Sequence, residues 1–192
     1  MVSESQSLEC ERKALEKHES WAGEIVKVPA VSFEHGQLTL ALLTECALQL
    51  RESRLVVMVS KMRVYAREAR AFLYPDVVVV QDPPDFFDVS KDTITDPRAV
   101  LEVVSPATLE HDRGRKLRAY QGIPSVKHCV LVREDEVWLE HHQRRDEGWE
   151  ARELGRGELL AMGEWVGVEI EVEAIYRREL QSTRLAAKAR AE

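Results

Sequence analysis

Residues 74–87 read "YPDVVVVQDPPDFF". The four consecutive valines, Val77 to Val80, are β-branched and apolar, and prolines stand on both sides of them. They read as a strand buried on both faces. At its mouth stands Asp76, a carboxylate that resists burial unless it caps a turn or holds a partner.

The run "RAVLEVVSP" at 98–106 is a second buried strand, interrupted by a charge at Glu102. Alternation points Asp76, Val78 and Val80 one way, and Glu102 with Val104 together. If the two strands are neighbours, Asp76 and Glu102 converge. Two carboxylates brought together repel unless a proton or a hard divalent cation such as Mg²⁺ lies between them. The segment "TLEHDRGRKLRAYQG" at 108–122 reads as a helix closed by Gly122, with Arg113, Lys116 and Tyr120 on one face. Packed back over the sheet, it would set the Lys116 ammonium beside the acids. Two acids, a metal and a lysine form a set that cleaves phosphodiesters. The plainer readings are a turn residue for Asp76, a buried salt bridge for Glu102 and a solvated helix position for Lys116.

Outward from this pair, residues 8–20 read as an amphipathic helix inside an N-terminal helical region 1–20, followed by a strand at "GEIVKV". Residues 32–52 form a longer helix capped by Ser32, with apolar residues around most of its circumference, as expected of packing on two sides. His35 lies in its first turn, as a capping residue or a site residue. "RLVVMVS" and "MRVYAR" are further strands. In "KMRVYAR" the residues Lys61, Arg63, Tyr65 and Arg67 share one face, which suits a nucleic-acid backbone with a base stacked on the aromatic, or is an ordinary solvated face. The acidic loop 82–97 reads as solvated rather than metal-binding. "KHCVLV" and "EVWLEHHQR" form a hairpin, and "WEARELG" adds a strand. His141 and His142, adjacent on that hairpin, face opposite ways and do not chelate one ion. "GRGELLAMG" lacks the third glycine spacing of a nucleotide-binding loop. The tail is helical and frays over 181–192.

The 192 residues suit a single domain, with a mixed central sheet flanked by helices in an α/β arrangement. A formal net charge of −7 argues against gripping nucleic acid over the whole surface, though not against a local basic cleft. No apolar run reaches the roughly 18 residues of a membrane span, and three dispersed cysteines fit reduced thiols, so the cytoplasm is expected.

"MRVYAR", "YPDVVVV", "VLEVVSPAT", "DRGRKLRAYQGIPSVKHCVLV" and "VWLEHH", in this order, resemble the Uma-two family of restriction-endonuclease-like proteins, assigned to the PD-(D/E)XK nuclease superfamily. The resemblance implies a restriction-endonuclease-like fold and a Mg²⁺- or Mn²⁺-dependent endonuclease. Asp76 and Glu102 match its metal ligands, and Lys116 and His35 its further site residues. Lys61, Arg63, Tyr65, Arg67 and Arg113 are then the candidates for nucleic-acid contact, with DNA as partner; the edge potential of the hairpin "KHCVLVREDEVWLEHH" and the two sites a duplex-cutting enzyme needs point to a homodimer. Two positions depart from the pattern. Val104 stands where a lysine follows the acid by two residues, Lys116 matching one that the family carries on the next helix, and Lys61 stands where the family shows an aspartate. A catalytically silent nucleic-acid- or partner-binding module is the alternative function, and a structural oligomer component a third.

Overall fold

The structure, a computed structural model, describes residues 4–59 and 61–178. Its elements in chain order are α1 (Glu4–Lys13), β1 (His18–Trp21), β2 (Glu24–Lys27), α2 (Phe33–Leu50), β3 (Leu55–Val59), β4 (Arg63–Ala66), β5 (Ala71–Leu73), β6 (Val77–Gln81), β7 (Thr93–Ile94) and β8 (Pro97–Val104). After β8 come α3 (Leu109–His111), a π turn (Asp112–Lys116), α4 (Leu117–Gln121), β9 (His128–Arg133), β10 (Leu139–Arg145), β11 (Gly148–Leu154), β12 (Leu159–Met162), β13 (Val168–Glu171) and α5 (Val172–Ile175).

The valine strand β6 lies inside a six-stranded sheet of order β11-β10-β9-β8-β6-β3. It runs antiparallel to β8, with Val77 opposite Leu101, and β8 runs parallel to β9, so the sheet is mixed as expected. A strand buried on both faces needs two covers, and alternation separates them. Val77, Val79, Leu101 and Val103 meet Leu38, Leu42, Cys46 and Leu50 of α2 on one side. Val78, Val80 and Val100 meet Leu117 and Tyr120 of the helical segment, and Val64 and Leu73 of a second sheet, on the other. That second sheet has five strands, in the order β2-β1-β5-β4-β7. Leu38 and Leu42 are fully buried, and each contributes about 1.5–3 kcal/mol by leaving water.

Several expectations change here. The first helix stops at Lys13, and His18–Trp21 leaves it to form β1, which pairs with β2 across a turn where Ala22 and Gly23 both hold positive φ (52° and 94°). The long helix buries one stripe rather than two sides, and Leu40 and Leu48 stay exposed. "GRGELLAMG", as expected, is no nucleotide-binding loop. It enters the hairpin β12–β13, whose Leu160, Met162, Val168 and Ile170 close the core over α2. The β9–β10 hairpin and β11 are antiparallel neighbours, as read from sequence. The tail assigned to 181–192 lies outside the described residues. No described helix is long and apolar enough to cross a membrane.

Candidate active site

Asp76 immediately precedes β6, and the antiparallel register brings it to the backbone of β8 beside Glu102. There its Oδ2 accepts a hydrogen bond from the Val103 N–H at 2.8 Å, and its Oδ1 lies 2.9 Å from His35 Nε2. His35 stands in the first turn of α2, which begins because the Ser32 hydroxyl accepts the His35 N–H at 2.9 Å. A helix cap thus fixes the imidazole against the carboxylate.

Glu102 points into the layer on the other side, and only 4% of it is exposed. Its Oε1 accepts from the Tyr120 hydroxyl at 2.7 Å and from the Lys116 ammonium at 2.8 Å. Burial pushes the Glu102 carboxyl well above the ordinary range; Lys116 pulls it back in part, while the charges of Asp76 and Asp112 push the same way as burial. The Tyr120 phenol is likewise driven well up, by burial first and then by Glu102. Two acids on neighbouring strands are therefore near enough to feel each other where water is scarce.

Lys116 is buried and meets three acceptors for its three protons: Glu102, the Glu19 Oε1 at 3.1 Å and the Tyr74 carbonyl at 3.4 Å. Burial alone would favour the neutral amine. Glu102, then Glu19 and Asp112, outweigh it and hold the ammonium above its usual range. The π turn Asp112–Lys116 interrupts the helix at this point, and both of its end residues are buried. Burial also raises Asp112, against the pull of Lys116. π turns recur at functional sites because the extra residue re-aims the side chains around it.

Glu19 is the residue that sequence reasoning missed. It sits 6% exposed on β1, and its Oε1 also accepts the Tyr74 N–H at 3.1 Å. It therefore grips both the lysine and the turn that leads through Pro75 to Asp76. The available signal was Ala22-Gly23, a two-residue turn flanked by "HESW" and "EIVK", which marks a hairpin rather than the end of a helix.

The expected nucleic-acid contacts scatter. β4 is a central strand of the second sheet and is covered on both faces, so its charged and aromatic residues do not form a solvated face. Arg63 is 4% exposed, paired with Asp92 and bonded to the Thr93 hydroxyl at 3.1 Å and the Tyr74 hydroxyl at 3.0 Å. Tyr65 packs with Phe72 and Phe87 at ring separations of 4.7 and 4.8 Å. Arg67 is exposed and lies over the Tyr65 ring at 5.9 Å. Arg113 turns away from Lys116 and Tyr120 to pair with Glu140 at 2.6 Å, because the π turn breaks the face they were expected to share. Lys61 is exposed and close enough to Lys17 to lower it, after burial, so it stands on the Lys17 side of the site. His141 and His142 face opposite ways, the first stacked on His128 and the second 2.8 Å from Glu140. Val104 is fully buried and uncharged.

Among the described residues no group of three or more His, Cys, Asp or Glu is placed to hold a metal ion. Two carboxylates alone are the donor set expected for Mg²⁺, which keeps several waters and takes its remaining ligands from substrate phosphate. Glu102, Glu19 and Asp112 surround the buried ammonium of Lys116, and Asp76 adds its charge at Glu102.

Residues 2–173 match the sequence profile of the Uma2 (Uma-two) family, described as "Putative restriction endonuclease". Two proteins of Synechocystis sp. (strain ATCC 27184 / PCC 6803 / Kazusa) are similar along their length. "Uncharacterized protein sll1609" is 30% identical over 155 residues, covering 80% of this chain and 88% of that one. "Uncharacterized protein slr1290" is 29% identical over 177 residues, covering 92% of each. A crystal structure described as a "putative nuclease belonging to DUF820", from Anabaena variabilis ATCC 29413, superposes with a TM-score of 0.75 at 12% identity, covering 92% of this chain and 98% of that one. At that identity the likeness speaks for the restriction-endonuclease-like fold. With nearly its whole length matched to the profile, the chain belongs to the Uma2 family of restriction-endonuclease-like proteins.

Proposed function

We propose that the chain is a divalent-metal-dependent endonuclease of the PD-(D/E)XK type, hydrolysing phosphodiester bonds in nucleic acid, with DNA as the substrate. The observation that carries this reading is that Asp76, bonded to the Val103 N–H, lies across from Glu102 on the neighbouring strand, and Glu102 in turn pairs with the buried Lys116. Asp76 and Glu102 would hold Mg²⁺ or Mn²⁺, which supplies a Lewis acid for the phosphate and makes water more acidic. The Val103 N–H and His35 orient the Asp76 carboxylate, and Tyr120 orients Glu102. Lys116, fully hydrogen-bonded as an ammonium, delivers positive charge to the phosphate or to its attacking water. Glu19 keeps that charge in place. The homodimer belongs to the same proposal. Of the two outer strands of the six-stranded sheet, β11 carries Glu150, Arg152 and Glu153, while β3 is wholly apolar and offers the barer edge for pairing.

Cleavage of plasmid and of single-stranded DNA with Mg²⁺ and with Mn²⁺ tests the reading. Asp76→Ala and Glu102→Ala should abolish metal-dependent cleavage, whereas Lys116→Ala should slow the chemical step and leave metal binding by calorimetry largely intact. Wild-type activity that survives Asp76→Ala would show the site to be elsewhere. The second reading, a silent binding module, is favoured by one observation, the exposed cation Lys61 beside Lys17 at a position where an acid was expected. An inactive wild type made active by Lys61→Asp would decide for it.

A further inference from the structure

A cleft of about 440 Å³ opens directly beside Asp76, between the 28–31 segment, the first turns of α2 and the Tyr74–Asp76 turn. Much of its wall is hydrocarbon: Val28, Pro29, Ala30, Val31 and Pro75. Polar groups are set around this apolar wall. His35 and Thr39, one helical turn apart, look in from α2, and Lys17 stands opposite with its ammonium 5.2 Å over the Tyr74 ring. The Thr39 hydroxyl is buried and has no hydrogen-bond partner. Thr44 on the same helix shows the usual solution, donating to the Leu40 carbonyl at 2.8 Å. A buried hydroxyl left open in the wall of a cleft calls for a ligand to satisfy it.

The volume lies in the range of small-molecule pockets, room for one sugar and base but not for a double helix. A phosphodiester held at Asp76 has a nucleoside on each side, so whatever the cleft takes must be covalently next to the phosphate. In a paired, stacked duplex only base edges are exposed, and a base enters such a cavity only when it is unpaired or extruded. The charges agree. Tracking a duplex needs a row of cations facing phosphates, whereas Arg63 is buried in an ion pair, Arg113 is held by Glu140 and the chain carries a net −7. Single-strand sites manage with few cations and with flat apolar surfaces for bases. Val31 at 61% and Phe33 at 74% exposure, beside the start of α2, supply such surface.

We propose that this cleft binds the sugar and base of an unpaired nucleotide adjoining the cleaved phosphodiester, making single-stranded or frayed nucleic acid the substrate class; this rests on the nuclease reading above. Thr39 hydrogen-bonds the nucleotide, Lys17 faces its phosphate, and the valine and proline walls enclose the base.

Gly36 provides a test that leaves the acids alone. It lines the cleft, and a Cβ built on it meets nothing within 4 Å, so a side chain there grows into open space while improving the helix. Fluorescence anisotropy with Ca²⁺ in place of Mg²⁺ would compare a labelled oligonucleotide of about 12 nucleotides with its blunt duplex, the scale of a few base contacts. Wild type should prefer the single strand by about tenfold, and Gly36→Leu should remove about tenfold of single-strand affinity, the value of one stacked base, without lowering the melting temperature. Thr39→Val should weaken it by about threefold, the value of one hydrogen bond. Equal binding by wild type and Gly36→Leu, or failure of wild type to bind the single strand, would overturn the inference. A wild type that binds single strands through this cleft yet cuts nothing would overturn the nuclease reading alone. One that cuts duplex and ignores Gly36→Leu would overturn the cleft alone.

Discussion

Removing the Glu19 carboxylate should destabilise the protein by several kcal/mol even though the residue lies on a four-residue strand far from β6 and β8 in sequence. The Glu19 and Lys116 side chains are 8% and 10% exposed and 3.1 Å apart. Deleting one partner of a buried ion pair costs about 3–5 kcal/mol when the other is left without compensation. Here Lys116 keeps Glu102 and the Tyr74 carbonyl, which lowers the figure to about 2–3 kcal/mol by the same rule. The Tyr74 N–H loses its acceptor as well, adding about 1 kcal/mol. Glu19→Ala should therefore cost about 3–4 kcal/mol, a fall in melting temperature of about 6–16 °C for a chain of this length. Glu19→Gln keeps an oxygen for both donors and relieves part of the like-charge crowding on Asp112, so its cost should be about 1 kcal/mol. Urea unfolding and calorimetry measure both. In a cleavage assay, Glu19→Ala should lower kcat with little change in KM, because a misplaced ammonium weakens the transition state more than substrate binding. A stability of Glu19→Ala within about 0.5 kcal/mol of wild type, the size of an ordinary surface substitution, would refute the reasoning.

Acid should loosen the stacked pair on β9 and β10. Burial, with neighbouring cationic groups second, pushes His128 down to about 3 and His141 down to about 4. The unfolded chain thus takes up these protons first. Their contribution to stability is full above pH 6.5, is lost as pH falls toward about 4 for His141 and about 3 for His128, and amounts to about 1.4 kcal/mol per pH unit per histidine at most. His141→Gln should flatten the fall between pH 6.5 and 4 in urea titrations, and unchanged slopes would exclude the pair as its source. Asp92 behaves in the complementary way. The Arg12 guanidinium, together with Arg63, holds its carboxyl below the usual range, so its stabilisation is present above pH 3.8 and disappears as pH drops through the folded value. Asp92→Asn leaves the buried Arg63 with only neutral acceptors. It should cost about 2 kcal/mol at pH 7, converging on wild type in strong acid, with parallel pH curves as the refuting outcome.

What could be read in advance was local or periodic. The strand patterns of "PDVVVV" and "LEVVS" put the two acids at neighbouring backbone positions, the Ser32 cap located His35, and helix spacing brought Lys116 and Tyr120 to Glu102. What could not be read depended on partners distant in the chain. "KMRVYAR" alternates as a solvated strand does, and nothing within it says that Asp92 will neutralise Arg63 or that Leu8, Phe72 and Phe87 will cover Tyr65. β1 is four residues long with three of them polar, too short and too mixed for propensity to separate it from the helical run before it. The narrow buried stripe of α2 has the same origin: Leu40 and Leu48 are as apolar as Leu38 and Leu42, and only the position of the sheet decides which pair is covered.

The π turn at Asp112–Lys116 makes the lysine's place in the site a matter of chain length rather than of residue type. One residue of insertion separates a π turn from the α turn it replaces. Deleting a residue there would rotate everything beyond it by about 100°, carrying Tyr120 away from Glu102 while every recognisable motif letter stayed in the sequence. Among relatives, a gap inside "DRGRK" would thus change the chemistry more than a substitution at most positions within it, and two aligned lysines would share a role only when the count of residues back to the acid is the same.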